Sequence, residues 1–419
     1  MKKINYDDVE IMAPAGSYES LMSSINAGAK SIYFGVENLN MRSRAVKFTL
    51  KDIEKISKIC KEKNVRSYLT INTLVYDDDL KIMKKLCDLA KKNKIDAIIA
   101  SDISVLEYAK KINLETHIST QSNVSNFESV KFYSQYADVI VLARELNLNQ
   151  IKKIINKIKK ENIRGPSGNL LKIELFIHGA LCVAIAGKCH MSLAQYNQSA
   201  NRGECLQTCR REYLVKDVQT GQELIIDNKY VMSPKDLCTI EILDKIIESG
   251  VKILKIEGRA RGPEYCDIVV NSYKKAIDLI KNKEYSEKNK KKIINNLENV
   301  FNRGFWQSGY YLGSKIGEWT NIYGSKAKKE KVLIGKIVNF YNNHSVAEIK
   351  IETKGFKIND EILIIGPTTG IVKETIKGIL KDNISINKCK KNDEITIKTN
   401  KKVRKNDKVY LFVDRVNFQ

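Results

Sequence analysis

EIMAPAGSYESLMSSINAGAKSIYFG, residues 10–35, contains one complete strand–helix–strand unit. A short apolar run at residues 10–13 leads into a tight turn that contains Gly16. An amphipathic stretch at residues 18–27 follows, and a second apolar run occupies residues 31–35. Short apolar runs joined by a helical stretch are typical of parallel β–α–β units.

The same alternation continues to about residue 300. Eight apolar runs predict strands, at residues 10–13, 31–35, 67–71, 97–100, 115–118, 139–142, 173–177 and 251–256. Helical patterns lie between them, for example at residues 18–27, 50–61, 80–92, 127–136, 148–159 and 263–280. Eight such units predict an α/β fold, a closed (β/α)8 TIM-type barrel. An open doubly wound sheet is the alternative, but the sequence lacks the GxGxxG phosphate loop typical of that class.

The seventh unit and the C-terminal part depart from this pattern. About 70 residues, 179–250, separate the seventh strand from the eighth and hold five of the nine cysteines. An insertion there lies on the face where barrels place active sites. After a connecting segment, 301–329, short alternating β-type runs predict a small antiparallel β-barrel domain at residues 330–419. Its basic stretch, residues 401–408, is either a nucleic-acid contact or a solvated turn.

The charge balance points to an anionic partner. The chain has 72 Lys and Arg against 49 Asp and Glu, a net charge of +23. Such a surplus fits RNA or an anionic substrate, unless it reflects a lysine-rich proteome. No run of 18 apolar residues and no signal-peptide core occur, so we expect a cytoplasmic protein without a membrane partner. In that compartment the cysteines indicate thiol or metal chemistry and not disulfides.

Polar residues follow each predicted strand and should converge on the active-site rim. Those with side chains suited to acid–base work are the catalytic candidates: Asp102, Glu145, His178, Lys255 and Glu257. The remaining candidates would bind substrate: Arg42, Arg44, Asn72, Gln121, Asn123, Arg144 and Arg259. An arginine-rich rim suits a carboxylated or phosphorylated small molecule, because a guanidinium can grip an oxyanion in two places. The competing interpretation pairs these arginines structurally with the rim carboxylates.

The insertion carries the cysteines at unusual spacings. Cys182 and Cys189 are separated by six residues, Cys205 and Cys209 by three, and Cys238 follows later. Converging thiolates in a loop-rich segment can hold zinc or an iron–sulfur cluster. Structural zinc usually uses a CxxC pair, which this chain lacks, so the wider gaps favour a cluster. Zinc and a set of buried cysteines without metal remain as alternatives.

Five motifs resemble the collagenase-like peptidase family U32. They are ELFIHGALCVAIAGKC (174–189), RGECLQTC (202–209), SPKDLC (233–238), KIEGRARGPEYC (255–266) and FNRGFWQSGY (301–310). Within this family, the chain resembles the tRNA hydroxylation proteins. That resemblance implies a 4Fe-4S enzyme that hydroxylates the tRNA wobble uridine to 5-hydroxyuridine, with prephenate and not dioxygen as the hydroxyl donor. Prephenate is a dicarboxylate, which the arginine-rich rim would suit.

The resemblance also implies the cluster ligands, with one ambiguity. Relatives use a fourth cysteine at the position of either Cys238 or Cys209, and we expect Cys182, Cys189, Cys205 and Cys238, with Cys209 as the alternative. A second, shorter family member could act as a heteromeric partner. Two other functions stay open: a collagenase-like peptidase, as the family label states, and an RNA-binding protein without catalysis.

Overall fold

The structure, a computed structural model, describes residues 5–37, 39–43, 48–214, 216–221, 232–307, 309–313 and 318–415. It confirms the predicted TIM-type barrel. The eight parallel barrel strands are β1 (Glu10–Ala15), β2 (Ser31–Phe34), β3 (Arg66–Ile71), β4 (Ala97–Ala100), β5 (Thr116–Ile118), β6 (Val139–Val141), β7 (Lys172–Gly179) and β9 (Ile253–Ile256). The barrel closes where β9 pairs with both β7 and β1.

Helices surround this barrel. They are α1 (Tyr18–Asn26), α2 (Asp52–Glu62), α3 (Leu80–Lys92), α4 (Ile103–Lys111), α5 (Phe127–Tyr133), α6 (Leu148–Lys160), α8 (Leu243–Glu248), α9 (Pro263–Lys281) and α10 (Glu287–Leu297), with α7 (Met191–Tyr196) in the insertion. None of the helices in the described ranges is both long and apolar enough to cross a membrane.

Helix α6 shows why these segments fold as they do. Its N-cap residue, Asn147, and Gln150 form a reciprocal capping box that satisfies two backbone amides of the first turn. Its buried residues recur at the helical period, so one apolar face packs on the barrel: Ile151, Ile154, Ile155 and Ile158. Three lysines in its last turn complement the negative end of the helix dipole.

The insertion returns to the barrel through a short strand, β8 (Asp236–Cys238). This strand pairs antiparallel with the end of β7, His178 opposite Cys238, and parallel with β10 (Phe305–Gln307) of the connecting segment. Helix α8 then leads into β9, so the seventh unit keeps a short helix despite its insertion. Both ends of the insertion are therefore fastened to the barrel.

The C-terminal domain is an antiparallel sheet of eight strands. They are β11 (Lys329–Tyr341), β12 (Val346–Ile351), β13 (Glu361–Gly366), β14 (Gly370–Thr375), β15 (Ile379–Lys381), β16 (Ile384–Ile386), β17 (Glu394–Lys398) and β18 (Lys408–Asp414). Their order is β14-β13-β18-β11-β12-β17-β15-β16. Residues 401–407 form the turn before β18, in which the Asp407 carboxylate accepts a hydrogen bond from the Arg404 amide at 2.8 Å.

The C-terminal sheet packs on the barrel through α1. Asn26 donates to the Thr369 carbonyl at 3.1 Å, and the Lys331 ammonium lies 2.6 Å from the Glu264 carboxylate. Gly370 has φ +71°, and a Cβ there would come within 2.9 Å of the α1 backbone at Met22. The close approach of sheet and helix thus depends on a glycine.

We predict that Gly370→Ala destabilises the protein by about 1–3 kcal/mol, because the new Cβ is strained by its positive φ and meets backbone that cannot move aside. Gly378→Ala is the matched control, since no atom lies within 4 Å of the added Cβ. Urea unfolding of the two variants measures the difference. Equal stabilities would contradict the close packing of β14 on α1.

Candidate active site

A cavity of about 190 Å³ lies at the carboxyl ends of the barrel strands, with the insertion as one wall. Nine of the rim residues predicted from the sequence line it: Arg42, Asn72, Gln121, Asn123, Arg144, Glu145, Lys255, Glu257 and Arg259. Arg44 falls outside the described residues. The cavity floor is therefore strongly cationic, with carboxylates interspersed among the guanidinium groups.

Arg42 and Glu257 form the central ion pair of the cavity. Arg42 Nε lies 3.3 Å from Glu257 Oε1, and the Tyr33 hydroxyl donates to the same carboxylate at 3.3 Å. Burial acts to raise the pKa of Glu257, but the positive charges of Arg42, Arg259 and Arg144 outweigh it and lower the pKa to about 2. Glu257 is therefore a permanent anion, suited to orienting the arginines and not to donating a proton.

This shift predicts a pH-dependent contribution to stability. A carboxyl group whose pKa is lower in the folded protein than in the unfolded chain stabilises the fold when it is ionised. For Glu257 this stabilisation is complete above pH 4.5, the unfolded pKa, and is lost as the pH falls through about 2. The difference in unfolding free energy between wild type and Glu257→Gln should therefore shrink as pH falls from about 4.5. Urea unfolding at a series of pH values measures it. A difference that stays constant would contradict the lowered pKa.

Arg259 lines the base of the cavity and is only 5% exposed. One terminal nitrogen donates to Thr70 Oγ1 at 2.7 Å and to Asn40 Oδ1 at 3.3 Å. Its Nε has no hydrogen-bond partner among the described residues. A buried cationic N–H without an acceptor is costly, so the hydrogen-bonding capacity of this guanidinium is not fully satisfied by the described residues.

Arg144 covers one aromatic face of the cavity wall. Its guanidinium carbon lies 4.0 Å from the centroid of the Phe176 ring, and its Nη1 donates to the Ala180 carbonyl at 3.3 Å. Tyr310, which lines the same cavity, is held in place by edge contact with Trp306 at 4.9 Å. Burial raises the pKa of Tyr310, and the nearby Glu145 raises it further.

Lys255 connects the cavity with a charged network inside the barrel. Its ammonium lies 2.7 Å from the Glu174 carboxylate, whose other oxygen is 3.5 Å from His117 Nδ1. Glu115 lies 3.7 Å from His117 Nε2 at the opposite end of the ring. Burial opposes charge on His117, but Glu115 and Glu174 outweigh it and raise its pKa. Barrel interiors are usually filled by branched apolar residues, so this row of ionised groups is unusual.

Amide side chains form a polar patch on another wall. The Asn72 amide donates to Ser119 Oγ at 3.3 Å and to Gln121 Oε1 at 3.1 Å, and its oxygen accepts from the Met41 amide at 3.3 Å. Asn123 adopts a left-handed conformation with φ 51°, which asparagine tolerates well. These groups offer donors and acceptors of fixed direction to a bound ligand.

Four cysteines of the insertion share the cavity: Cys182, Cys189, Cys205 and Cys209. Their loop is packed against the Arg42 loop, because Gly203 has φ +93° and an added Cβ would lie 2.2 Å from the Asn40 carbonyl oxygen. Burial raises the pKa of Cys209, Arg210 lowers it, and the other three thiols raise it, leaving it above the usual value. Within the described ranges, no three potential metal ligands are already gathered at metal-binding geometry.

Cys238 does not line this cavity, and the choice between Cys238 and Cys209 as the fourth cysteine of the set stays a prediction. It lies in β8, 1% exposed, behind the end of β7. Burial raises its pKa to about 12, so the thiol is protonated there. The reason is the strand pairing of β8, which turns Cys238 into the core while the Cys205–Cys209 segment borders the cavity.

Two catalytic candidates also lie elsewhere. His178 is 2% exposed at the end of β7, ringed by Tyr265, Tyr273 and Phe305, and burial lowers its pKa to about 3. Asp102 is the N-cap of α4, where its carboxylate accepts from the Ser104 and Val75 amides. Neither side chain lines the cavity, and a catalytic role for either stays a prediction.

Four residues of the site are not predicted from the sequence. Tyr33 and Tyr310 line the cavity, and Glu174 and His117 lie beneath it. Charged residues inside otherwise apolar strand runs were the available signal for Glu174 and His117. No comparable signal marked Tyr310, because its position depends on how the connecting segment folds back over the barrel.

Known proteins are similar to this chain over most of its length. The model of Peptidase family U32 matches residues 16–321. A Porphyromonas gingivalis protein named collagenase is 50% identical over 98% of this chain and 100% of its own length. A tRNA hydroxylation protein of Bacillus subtilis is 28% identical, covering 90% of this chain and 88% of its own. A 23S rRNA 5-hydroxycytidine synthase of Escherichia coli is 32% identical over 74% of this chain and 46% of its own.

The matched residues run from the turn after β1 through the insertion and beyond β10, so they include every described wall of the cavity. Members of the family carry enzyme names of two kinds, RNA hydroxylase or synthase and collagenase. The chain belongs to Peptidase family U32.

Proposed function

We propose that this protein is an iron–sulfur-dependent RNA hydroxylase that converts the wobble uridine of tRNA to 5-hydroxyuridine, with prephenate as the hydroxyl donor. The observation that carries the proposal is the sharing of one cavity by four cysteines and four cationic side chains, Arg42, Arg144, Lys255 and Arg259. The relatives named for tRNA hydroxylation and rRNA 5-hydroxycytidine synthesis support the reaction class. Sites of this kind operate in a reducing cytoplasm.

The donor set fits a 4Fe-4S cluster. Cys182, Cys189, Cys205 and Cys209 supply four thiols to one cavity, and thiolates are the usual ligands of such clusters. Bound there, the cluster would supply electron-transfer or Lewis-acid chemistry at the cavity wall.

The cationic side chains would bind the dicarboxylate. Arg259, Arg42 and Arg144 line the cavity and offer guanidinium donors. Glu257 keeps Arg42 oriented while remaining ionised. Lys255, held by Glu174, places an ammonium group in fixed position at the floor, so the cationic groups are oriented before a ligand binds.

The target uridine must leave its base stack to enter a cavity of this size. The Asn72–Gln121 amide patch can pair with the polar edge of a pyrimidine, and Tyr310 offers an aromatic surface nearby. The net charge of +23 favours binding of the surrounding RNA backbone. A second, shorter family member as a heteromeric partner is compatible with this arrangement.

A collagenase-like peptidase is the second candidate, favoured by the name of the relative that is 50% identical. The cavity contains Ser119, Ser192 and four cysteines as nucleophiles, but no histidine lines it among the described residues. A nucleophile–histidine pair is the usual requirement for serine or cysteine peptidase chemistry. The site geometry therefore favours the hydroxylase.

Two measurements test the proposal. Anaerobically purified protein should contain four irons and four sulfides per chain, and a deletion strain should lack 5-hydroxyuridine-derived nucleosides in its tRNA. Gelatin cleavage that survives iron removal would instead establish the peptidase. Salt-dependent tRNA binding with unchanged nucleosides would establish a binding protein without catalysis.

A further inference from the structure

Two exposed tyrosines beside the cavity each lie against an arginine. Tyr76 is 56% exposed, and the guanidinium carbon of Arg202 lies 4.1 Å from its ring centroid. Tyr196 is 43% exposed, with Arg211 at 5.2 Å. Each pair therefore presents an aromatic ring to solvent, supported by a cationic plane.

The first pair is held rigidly. The Arg202 guanidinium binds both oxygens of the Asp79 carboxylate, and Asp79 also accepts a hydrogen bond from the Tyr76 amide at 2.8 Å. A bidentate arginine–carboxylate contact fixes the plane of the guanidinium. The ring and the guanidinium are thus preorganised in the free protein, which reduces the entropy cost of binding a flat ligand.

Backbone contacts tie this pair to the cysteine loop. The Leu74 amide donates to the Asn201 carbonyl at 3.2 Å, and the Asn201 side chain accepts from the Cys189 amide at 3.2 Å. Cys189 lines the cavity, as does Asn72, two residues before Leu74. Tyr76 therefore lies at the rim of the same opening.

The second pair lies on the insertion. Tyr196 is the last residue of α7, whose first residues, Met191 and Ser192, line the cavity. Arg211 donates to the Tyr196 hydroxyl and follows Cys209 by two residues. Both pairs are thus attached to cavity walls but face outward.

We propose that Tyr76–Arg202 and Tyr196–Arg211 are stacking platforms for the unpaired RNA bases that flank the base inserted into the cavity. This inference rests on the proposed RNA substrate. It adds that the two tyrosine–arginine pairs hold the single-stranded part of that RNA. Aromatic rings and guanidinium planes are the surfaces on which unpaired bases stack, whatever their sequence. Removing the flanking bases from their own stack would also release the target base.

The test uses an anticodon stem-loop RNA with 2-aminopurine next to the target uridine. Tyr76→Ala and Tyr196→Ala should each weaken binding roughly 5- to 150-fold, the range for loss of one base–aromatic stack. Quenching of the 2-aminopurine fluorescence in the complex should fall in at least one of them. The slope of affinity against salt should not change, because no phosphate contact is removed.

Tyr76→Phe and Phe132→Ala are the controls. The first keeps the ring and should bind RNA like wild type, whereas an alanine effect reproduced by phenylalanine would overturn stacking. The second removes a ring that is 52% exposed on α5, away from the cavity, and should have no effect. If both alanine variants bind the RNA with wild-type affinity and quench the fluorescence as wild type does, the stacking proposal is wrong but the proposed function is unaffected. Failure of wild type to bind the RNA would overturn the proposed function as well.

Discussion

Cys209→Ser should strip the protein of its iron, whereas Cys238→Ala should leave the iron in place. Cys209 lines the cavity with three other insertion cysteines, but Cys238 is buried behind the end of β7. A serine hydroxyl is a poor substitute for a thiolate, so the proposed cluster would lose one of its four ligands. Iron and sulfide counts after anaerobic purification measure the result.

The pair of variants serves as its own control, because each removes one cysteine from the same part of the chain. The proposed ligand set predicts loss of iron to near zero for Cys209→Ser and a full complement for Cys238→Ala. The reverse result would assign the fourth ligand to β8 and require the insertion to refold around the cluster. Full iron in both variants would mean that three cysteines suffice.

Glu174→Leu should destabilise the protein by about 3–5 kcal/mol, because it leaves the buried Lys255 ammonium without its counter-ion. Glu174 is 0% and Lys255 5% exposed, and their charged atoms lie 2.7 Å apart. His117 loses the same carboxylate. The double variant Glu174→Leu/Lys255→Met should recover most of the loss, since no buried charge is then unpaired. Urea unfolding provides the comparison.

An exposed ion pair at the other end of the barrel is the matched control. The Lys252 ammonium lies 3.6 Å from the Asp8 carboxylate, and both side chains are well exposed. Asp8→Asn should cost about 0–1 kcal/mol, as exposed pairs usually do. If Glu174→Leu lowers the free energy of unfolding by no more than Asp8→Asn does, then Glu174 does not stabilise the buried Lys255 ammonium.

The barrel could be predicted because its signal is local. Each strand is a short apolar run and each helix an amphipathic one, so β1 to β7 and β9 lie within a few residues of their predicted positions. Strand β18 and the short strand β15 have weaker sequence signals. The basic residues at 401–407 directly precede β18, so no apolar alternation marks where that strand begins. Strand β15 has only three residues.

The rim residues could be predicted because the carboxyl ends of all barrel strands converge by topology. Arg42, Arg144 and Arg259 follow three different strands and line one cavity. His178 follows a strand by the same rule, yet it is buried away from the cavity. The pleat of β7 and its pairing with β8 decide which way the His178 side chain faces. Neither of these can be deduced from the position of His178 in the sequence.

The sequence by itself determined the fold class, the cationic rim and the group of cysteines in one insertion, because strand alternation and residue spacing are properties of neighbouring residues. Only the tertiary structure decided that Cys209 shares the cavity while Cys238 does not, and that Glu174 and His117 support Lys255 from inside the barrel. These placements depend on strand pairing and on burial in the folded chain, where residues from distant positions in the sequence come together. Burial then sets which groups stay ionised, since the free energy of a charge depends on what surrounds it.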